Sequence, residues 1–280
     1  MSKKNLPLKG KTAFIAGGSR GIGRAVAIEF VTMGGSVCII ARNARDLESA
    51  ARELSDARLD ESQRIATISC DTTDMARLRP AMEKFMAEHG TPEYLMNFVG
   101  YAYPNSIDRL TYDDFRKNME INYYGQLAPI LVMLPRYKSE QSGHIVTCSS
   151  VLGFLGMTGY ATYAPTKYAI VGLTESLRNE LKPFGVRFSI LFPPDTDTPG
   201  FEKENETKPA EVMIMSEGGG LMSARDVAKA LVKGVMKKSF YILPGQSRLL
   251  WSVARHFPRL THRIMDGELK KAKKKALSRG

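Results

Sequence analysis

The sequence predicts an α/β fold: a doubly wound, Rossmann-type parallel sheet in a single domain. Three observations along the 280 residues predict this fold. Short apolar runs alternate with helical patterns, the first run leads into a glycine-rich turn, and the fifth ends at a serine that precedes a Tyr-x-x-x-Lys pair. Strands that alternate with helices indicate parallel pairing, because each helix carries the chain back across the sheet. Ligands of such sheets bind at the carboxyl ends of the strands.

The individual elements follow from apolar periodicity and from the turn residues between them. The predicted strands are residues 11–17, 36–41, 64–70, 94–99, 143–149, 186–192 and 240–243. The predicted helices are residues 24–33, 46–54, 75–89, 111–134, 160–182 and 224–237. After the sixth strand the pattern breaks, and residues 194–222 are polar, rich in Met and Gly and only weakly periodic. We expect this segment to be a mobile lid over a substrate.

The net charge of +11 is concentrated near the carboxyl end. Residues 246–280 contain ten Lys or Arg and two acidic residues, a net charge of +8. Between the basic residues lie apolar ones that suit one amphipathic helix: Leu249, Leu250, Trp251, Val253, Phe257, Leu260 and Ile264. Such a helix fits an anionic membrane surface, and the alternatives are a partner-subunit face or a core helix with a solvated tail. Charge alone would also suit nucleic acid, but no reading motif supports it, so we expect no nucleic-acid partner.

Cysteine usage and hydropathy indicate the cellular environment. Cys38, Cys70 and Cys148 lie in apolar strand-like runs without metal-binding spacing, so we expect reduced thiols and no metal site. The first eleven residues are polar and basic rather than a signal peptide, and no run of eighteen apolar residues predicts a membrane span. We expect a cytoplasmic protein, peripheral on the cytosolic face of a membrane. That membrane would be the ER in a eukaryote or the inner membrane in a bacterium.

The most informative stretch follows the fifth strand. Ser150 stands at the carboxyl end of that strand, and Tyr163 and Lys167 are spaced to share one face of a helix. A free tyrosine has a pKa near ~10, and a neighbouring ammonium favours the phenolate and lowers that pKa. Such a tyrosine can exchange a proton with a carbonyl or alcohol oxygen that a serine hydroxyl also holds. The three residues therefore suit carbonyl reduction or alcohol oxidation, with the hydride supplied from elsewhere.

The glycine-rich turn after the first strand predicts a dinucleotide site. Gly17, Gly21 and Gly23 let the backbone approach a pyrophosphate at the start of the first helix. Arg42 follows the second strand, where an acidic residue would bind a ribose 2′-hydroxyl and an arginine suits a 2′-phosphate. Arg20 in the turn could be a second cation on that phosphate. NADPH/NADP+ is therefore favoured over NAD; the alternative is that both arginines are solvated surface charges.

These motifs resemble the short-chain dehydrogenase/reductase family over almost all of residues 11–243. The family's Asn-Asn-Ala-Gly motif stands here as residues 97–100, Asn-Phe-Val-Gly. The resemblance implies a dinucleotide-binding reductase domain over residues 1–245 and a catalytic tetrad of Asn122, Ser150, Tyr163 and Lys167. Asn122 would position a water that links Lys167 to solvent. The implied cofactor-binding residues are Gly17, Ser19, Arg20, Gly21, Ile22, Gly23, Arg42, Asp71, Asn97, Gly100, Tyr163, Lys167, Pro193, Thr196 and Thr198.

The loop after the sixth strand narrows the resemblance. Residues 192–201 read Phe-Pro-Pro-Asp-Thr-Asp-Thr-Pro-Gly-Phe, and Glu204-Asn205 and Thr207-Lys208-Pro209 follow. This loop is similar to that of the 3-ketodihydrosphingosine reductases. The similarity implies NADPH-dependent reduction of the 3-keto group of a long-chain keto-lipid to the alcohol, in a homodimer or homotetramer. The alternatives are a reductase of another hydrophobic ketone, steroid or fatty-acyl, and a non-catalytic NADPH-binding sensor.

Overall fold

A computed structural model describes residues 6–217 and 220–278 of the chain. Its strands are β1 (Thr12–Ala16), β2 (Ser36–Ala41), β3 (Ile65–Ser69), β4 (Tyr94–Asn97), β5 (His144–Cys148), β6 (Arg187–Leu191), β7 (Thr196–Asp197), β8 (Met222–Ser223) and β9 (Tyr241–Ile242). Its helices are α1 (Gly21–Thr32), α2 (Ala44–Asp56), α3 (Met75–His89), α4 (Tyr112–Met119), α5 (Gly125–Ser139), α6 (Ala164–Leu181), α7 (Pro199–Asn205), α8 (Ala210–Glu217), α9 (Ala224–Met236), α10 (Ser247–His256) and α11 (Pro258–Leu277).

Seven of these strands form one parallel sheet in the order β3-β2-β1-β4-β5-β6-β9. The chain winds outward in both directions from the boundary between β1 and β4, which is the switch point where such folds bind ligands. The register places Asn97, the last residue of β4, beside Ala16, the last residue of β1. The predicted α/β fold is confirmed, and the ends of β1, β4 and β5 meet at one edge.

The core lies on both faces of the sheet because successive strand residues point to opposite sides. In β1, Ile15 packs with the apolar faces of α1, α2 and α9, whereas Phe14 packs with those of α3 and α5. Both side chains are fully buried. The three cysteines are buried and free. Helices on both faces explain why the inner strands are continuously apolar rather than alternating.

The single long helix predicted over residues 111–134 is interrupted. Helix α4 ends at Met119, a π-helical turn covers Glu120–Tyr124, and α5 begins at Gly125. Asn122 lies in this turn, and its side chain hydrogen-bonds to the backbone of Tyr101 outside the helix. Single π turns inside helices are common at functional sites, because the extra residue redirects side chains. Apolar periodicity alone does not reveal such a turn.

The segment expected to be a lid contains two helices, α7 and α8, and residues 218 and 219 lie outside the described residues. Strands β7 and β8 pair in parallel at its base, with Thr196 opposite Met222 and Asp197 opposite Ser223. The segment therefore leaves the main sheet after β6 and returns to the point of departure before α9. Its motion as a lid stays a prediction.

The carboxyl-terminal segment forms two helices, α10 and α11, where the sequence predicted one. The break falls at Phe257, whose backbone is not helical, because the following residue is Pro258 and proline disfavours a helical residue before it. Helix α11 packs against α8, with an ion pair of 3.3 Å between Lys275 Nζ and Glu217 Oε2. Among the described residues, none of the helices combines the length and the apolar character that crossing a bilayer requires.

Candidate active site

The glycine-rich turn brings backbone unusually close together. A Cβ on Gly23 would lie 2.2 Å from the carbonyl oxygen of Gly17, and a Cβ on Gly17 would lie 2.9 Å from the backbone of Phe98. Gly17 also has a φ of 76°, which favours glycine. Helix α1 starts at Gly21 without a side-chain cap from Arg20, so its first peptide N–H groups are available to an anion. The turn fits a pyrophosphate.

The two arginines proposed for a 2′-phosphate are exposed near the ends of β1 and β2, and each has a carboxylate partner. Arg20 forms an ion pair of 2.7 Å with Asp46, and Arg42 one of 3.4 Å with Asp71. Partial burial raises the pKa of Asp71, but hydrogen bonds from Thr73 and the charge of Arg42 outweigh it, so the net pKa is lowered. Asp46 at the start of α2 is a contact of Arg20 that the sequence analysis did not identify.

The end of β4 carries polar atoms that lack protein partners. Both side-chain polar atoms of Asn97 are buried and make no hydrogen bond with the described residues. Buried amides are normally satisfied, so this one suits a ligand's polar group at the switch point. A Cβ on Gly100 would lie 3.2 Å from Asn122 Oδ1 and 3.3 Å from Lys167 Nζ. Gly100 therefore lies directly against these two buried side chains.

The Asn122 side chain is fully used within the protein. Its Oδ1 accepts from Tyr101 N at 2.8 Å, and its Nδ2 donates to Tyr101 O and to Thr166 Oγ1 at 2.9 and 3.0 Å. These bonds tie the π turn to the loop after β4 and to α6. The side chain therefore holds these elements together, and the water-positioning role that the resemblance assigns to Asn122 stays a prediction. No local sequence pattern predicts this contact of Thr166.

Ser150, Tyr163 and Lys167 converge after β5. Tyr163 caps α6 with helical backbone angles, so it keeps the predicted one-turn relation to Lys167 although the helix itself starts at Ala164. Lys167 Nζ lies 5.3 Å from the centre of the Tyr163 ring and donates to Cys148 O at 3.0 Å. Ser150 is hydrogen-bonded to the Tyr163 side chain. The structure thus brings the three predicted residues together.

The electrostatics of the tyrosine differ from the sequence argument. Burial raises the pKa of Tyr163, the charge of Glu204 raises it further, and the hydrogen bond with Ser150 lowers it. Burial also lowers the pKa of Lys167, so the charged ammonium form is less favoured there than in water. Burial therefore outweighs the acidification expected from Lys167, and the net pKa of Tyr163 lies above its usual value. A phenol that stays protonated at neutral pH is still the form that donates a proton.

The loop after β6 closes the site on the opposite side. Pro193 O accepts from Val151 N at 3.3 Å, which ties the loop to the turn that Ser150 begins. Thr196 Oγ1 donates to Pro194 O at 2.7 Å, and Thr198 Oγ1 accepts from Phe201 N at 3.2 Å to cap α7. A Cβ on Gly21 would lie 3.3 Å from the Thr198 methyl carbon. The loop residues and the glycine-rich turn thus face each other.

A cleft of about 320 Å³ lies beyond Tyr160, between residues 156–158, α8 and α11. Its apolar lining is Met157, Met215, Met265 and Leu269, and its polar lining includes Thr158, His262 and Asp266. Tyr160 N donates to Met157 O, so the wall of the cleft is continuous with the segment that leads to Tyr163. The participation of α11 was not predicted, because no local pattern shows which helix a terminal segment will meet. Across residues 6–217 and 220–278, no cluster of three or more His, Cys, Asp and Glu could hold a metal ion.

Comparisons with known proteins agree with this geometry. The family model for short chain dehydrogenase matches residues 11–209. A 3-dehydrosphinganine reductase of Danio rerio is 34% identical over 241 residues, which are 86% of this chain and 73% of that protein. A 3-oxoacyl-[acyl-carrier protein] reductase with bound NAD from Brucella melitensis is 25% identical, with a TM-score of 0.69 over 81% of this chain and 85% of that one. ElxO with NADP bound is also 25% identical, with a TM-score of 0.69 over 80% and 90%. The chain therefore belongs to the short-chain dehydrogenase family.

Proposed function

We propose that this protein reduces the 3-keto group of 3-ketodihydrosphingosine to the alcohol of dihydrosphingosine, with NADPH as the hydride donor. The observation that carries the proposal is the convergence of Ser150, Tyr163 and Lys167 after β5, with Lys167 next to Gly100 after β4. Membership of an oxidoreductase family and the similarity to a 3-dehydrosphinganine reductase support the activity and the substrate class.

The chain's own residues would act on the ketone oxygen. When bound, the nicotinamide cofactor would be the source of the hydride that the carbonyl carbon receives. Tyr163 donates its phenolic proton to the developing alkoxide, and Ser150 hydrogen-bonds the same oxygen, so negative charge does not accumulate there. The raised pKa of Tyr163 keeps that proton in place at neutral pH. Lys167, buried behind Gly100, would hold the cofactor ribose and return a proton to Tyr163.

A nicotinamide cofactor follows from the family and from the glycine-rich turn at the switch point. The choice of NADPH over NADH is part of the proposal. Arg42 and Arg20 supply two exposed guanidinium groups at the ends of β2 and β1, where a 2′-phosphate could replace or share their carboxylate partners. The residues proposed to hold the cofactor are those named from the sequence. Among them, Asn97 is a buried amide with no hydrogen-bond partner in the part of the chain that the structure describes.

We place the alkyl chain of the keto-lipid in the cleft between α8 and α11. Methionines suit an unbranched chain because their side chains are flexible and fill irregular spaces. On α11, Leu260 and Ile264 are exposed beside the cleft, and on α10 Leu249 is exposed. Basic residues surround these apolar ones, which supports peripheral contact of α10 and α11 with an anionic membrane on its cytosolic side.

We also propose that the protein is a homodimer or homotetramer. Large apolar side chains are exposed on α4, on the π turn, on α5 and on α6: Tyr112, Tyr124, Leu131 and Tyr168. Exposed aromatic residues of this kind are typical of protein interfaces. These helices are also the ones through which relatives are expected to associate.

The deciding experiment measures NADPH oxidation with 3-ketodihydrosphingosine and with a short ketone as the control. We expect turnover of the lipid ketone and little of the short one. Tyr163→Phe should lower kcat by about a thousandfold while NADPH binding, measured by fluorescence, is retained. More efficient reduction of a steroid or fatty-acyl ketone would contradict the substrate, and NADPH binding without reduction of any ketone would favour a sensor.

A further inference from the structure

A buried ionic network lies between helix α7 and the segment that carries Tyr163. Lys208 has a fully buried side chain, and its Nζ lies 3.1 Å from Glu204 Oε1 and 2.8 Å from Asn205 Oδ1. The same ammonium lies 4.1 Å from the centre of the Phe201 ring. Lysine is almost never fully buried unless it is paired, so this arrangement costs desolvation that its partners must offset.

The network reaches the site through a second tyrosine. Tyr160 is buried and donates its hydroxyl proton to Glu204 Oε1. The Tyr160 ring centre lies 6.1 Å from that of Tyr163, and Tyr163 N donates to Tyr160 O at 3.1 Å. Helix α7 is thus connected by a charged hydrogen bond to the residue three positions before the proposed proton donor.

The contacts of Glu204 with Tyr160 and Lys208 determine the role that this network can have. Glu204 receives both the Tyr160 hydroxyl and the Lys208 ammonium, so its carboxylate is fixed in place. Glu204 and Lys208 both belong to the sequence pattern of residues 204–209. The proposed catalytic groups and cofactor site include neither of them. A fixed carboxylate beside a phenol opposes the loss of the phenol's proton.

We infer that Tyr160, Glu204 and Lys208 are positioning residues that hold α7 over the active site, with the Glu204 carboxylate as a fixed negative charge on Tyr160, the neighbour of Tyr163. The inference rests on the proposed function for its kinetic readout. Its structural readout does not depend on activity. The charge on Glu204 favours the protonated phenol that a reduction consumes, and it opposes the phenolate that alcohol oxidation needs.

Glu204 is one of several groups that act on the Tyr163 phenol. The titratable, charged or hydrogen-bonding groups near it come from β5, its following turn, α6, the loop after β6 and the α7 segment: Cys148, Ser150, Tyr160, Lys167, Asp195, Glu204 and Lys208. Asp195 raises the pKa of Tyr163 as Glu204 does. The Lys208 ammonium, which is paired with Glu204, lowers the pKa of Asp195. Removing the Glu204 charge alone therefore takes one negative charge away from the groups that act on the Tyr163 phenol.

The kinetic test is the pH profile of dihydrosphingosine oxidation with NADP+. Glu204→Gln should move the rising limb, which reports Tyr163 deprotonation, to lower pH by about half a unit or more. Glu202→Gln, on the exposed side of α7, should leave the profile unchanged. An unchanged limb in Glu204→Gln would overturn the electrostatic role. If Glu204→Gln lowered turnover only for substrates that carry an amino group, Glu204 would be a substrate contact instead of a positioning residue.

The structural test is amide hydrogen exchange of residues 199–217 in the full chain. Lys208→Met leaves the Glu204 charge buried without its ammonium, so exchange there should become roughly a hundredfold faster. The double variant Glu204→Gln/Lys208→Met should recover most of the protection, because no unpaired charge remains. Lys203→Met is the exposed control. Equal protection in all four proteins would overturn the inference, even if the wild-type chain reduced no ketone and the proposed function failed.

Discussion

At the scale of residues, the type of each side chain and the surroundings of that side chain determine different properties of the site. Tyr163 and Lys167 are close because of their spacing along one helix, which the sequence determines. The protonation of Tyr163 depends on burial and on Glu204, which lies 41 positions later in the chain. Asn122 has the predicted identity, but its side chain is committed to Tyr101 and Thr166. Residue type was therefore predictable, and electrostatic state was not.

The cofactor preference is tested at Arg42. Arg42→Ala should raise the KM for NADPH by about 10- to 100-fold, the effect of losing a charge-assisted hydrogen bond to phosphate, and leave the KM for NADH nearly unchanged. Initial rates with each dinucleotide measure both constants. Arg45→Ala, an exposed arginine at the start of α2, is the matched control. An equal effect on both dinucleotides would refute a 2′-phosphate role for Arg42.

A second test at this scale concerns His144. Its Nε2 donates to Ser189 Oγ at 2.8 Å, because that hydroxyl itself donates to Ser239 O. Burial, and then the charge of Arg187, lowers the pKa of His144 to about 4. The unfolded chain, with a histidine pKa near ~6.5, binds the extra proton first as pH falls. Stability should therefore fall between pH 6.5 and 4.

The loss attributable to His144 should reach about 3 kcal/mol at the acid end. Urea unfolding at several pH values measures it, and His144→Gln should flatten the slope relative to the wild type. His256→Gln, at an exposed histidine on α10, should keep the wild-type slope. Identical slopes in His144→Gln and the wild type would show that His144 does not titrate as the structure indicates.

At the scale of elements, the turn between β1 and α1 depends on backbone proximity. Gly23→Ala puts a Cβ 2.2 Å from Gly17 O, so α1 must shift away from the turn. We expect NADPH to bind at least about tenfold more weakly, and overpacking to destabilise the fold by about 1–3 kcal/mol. Isothermal titration and thermal melting measure the two effects.

The control for this variant is Gly172→Ala on α6, where an added Cβ meets no atom within 4 Å. Alanine there should stabilise the helix by about 0.5–1 kcal/mol, because glycine loses more backbone entropy on folding. NADPH affinity should not change. Unaltered cofactor binding by Gly23→Ala would mean that α1 does not need its close approach to the turn.

At the scale of the whole molecule, the carboxyl-terminal helices combine an observed role in the fold with the membrane contact that we propose. Helix α11 packs against α8 and forms one wall of the cleft, while Leu260 and Ile264 remain exposed on it. Removing the segment after residue 245 would therefore also disturb α8, so truncation is a poor test of membrane contact. Substitutions on the exposed face separate the two roles.

Leu260→Asp combined with Ile264→Asp should reduce sedimentation with anionic vesicles by about tenfold or more, because charged groups replace apolar area that enters the interface. Wild-type binding should weaken as salt is raised, since basic residues contribute. Leu59→Asp, at an exposed leucine between α2 and β3, is the control. Equal vesicle binding by all three proteins would remove α11 from the membrane surface.

The sequence by itself determined the parallel sheet, the glycine-rich turn and the spacing of Ser150, Tyr163 and Lys167. These features depend on local periodicity, on backbone freedom and on helical geometry, which neighbouring residues control. Only the tertiary structure decided that α11 would meet α8, that Glu204 and Lys208 would lie against Tyr160, and that burial would raise the pKa of Tyr163. Those outcomes depend on burial and on contacts between distant segments, because desolvation and Coulomb energies follow distance in space and not separation along the chain.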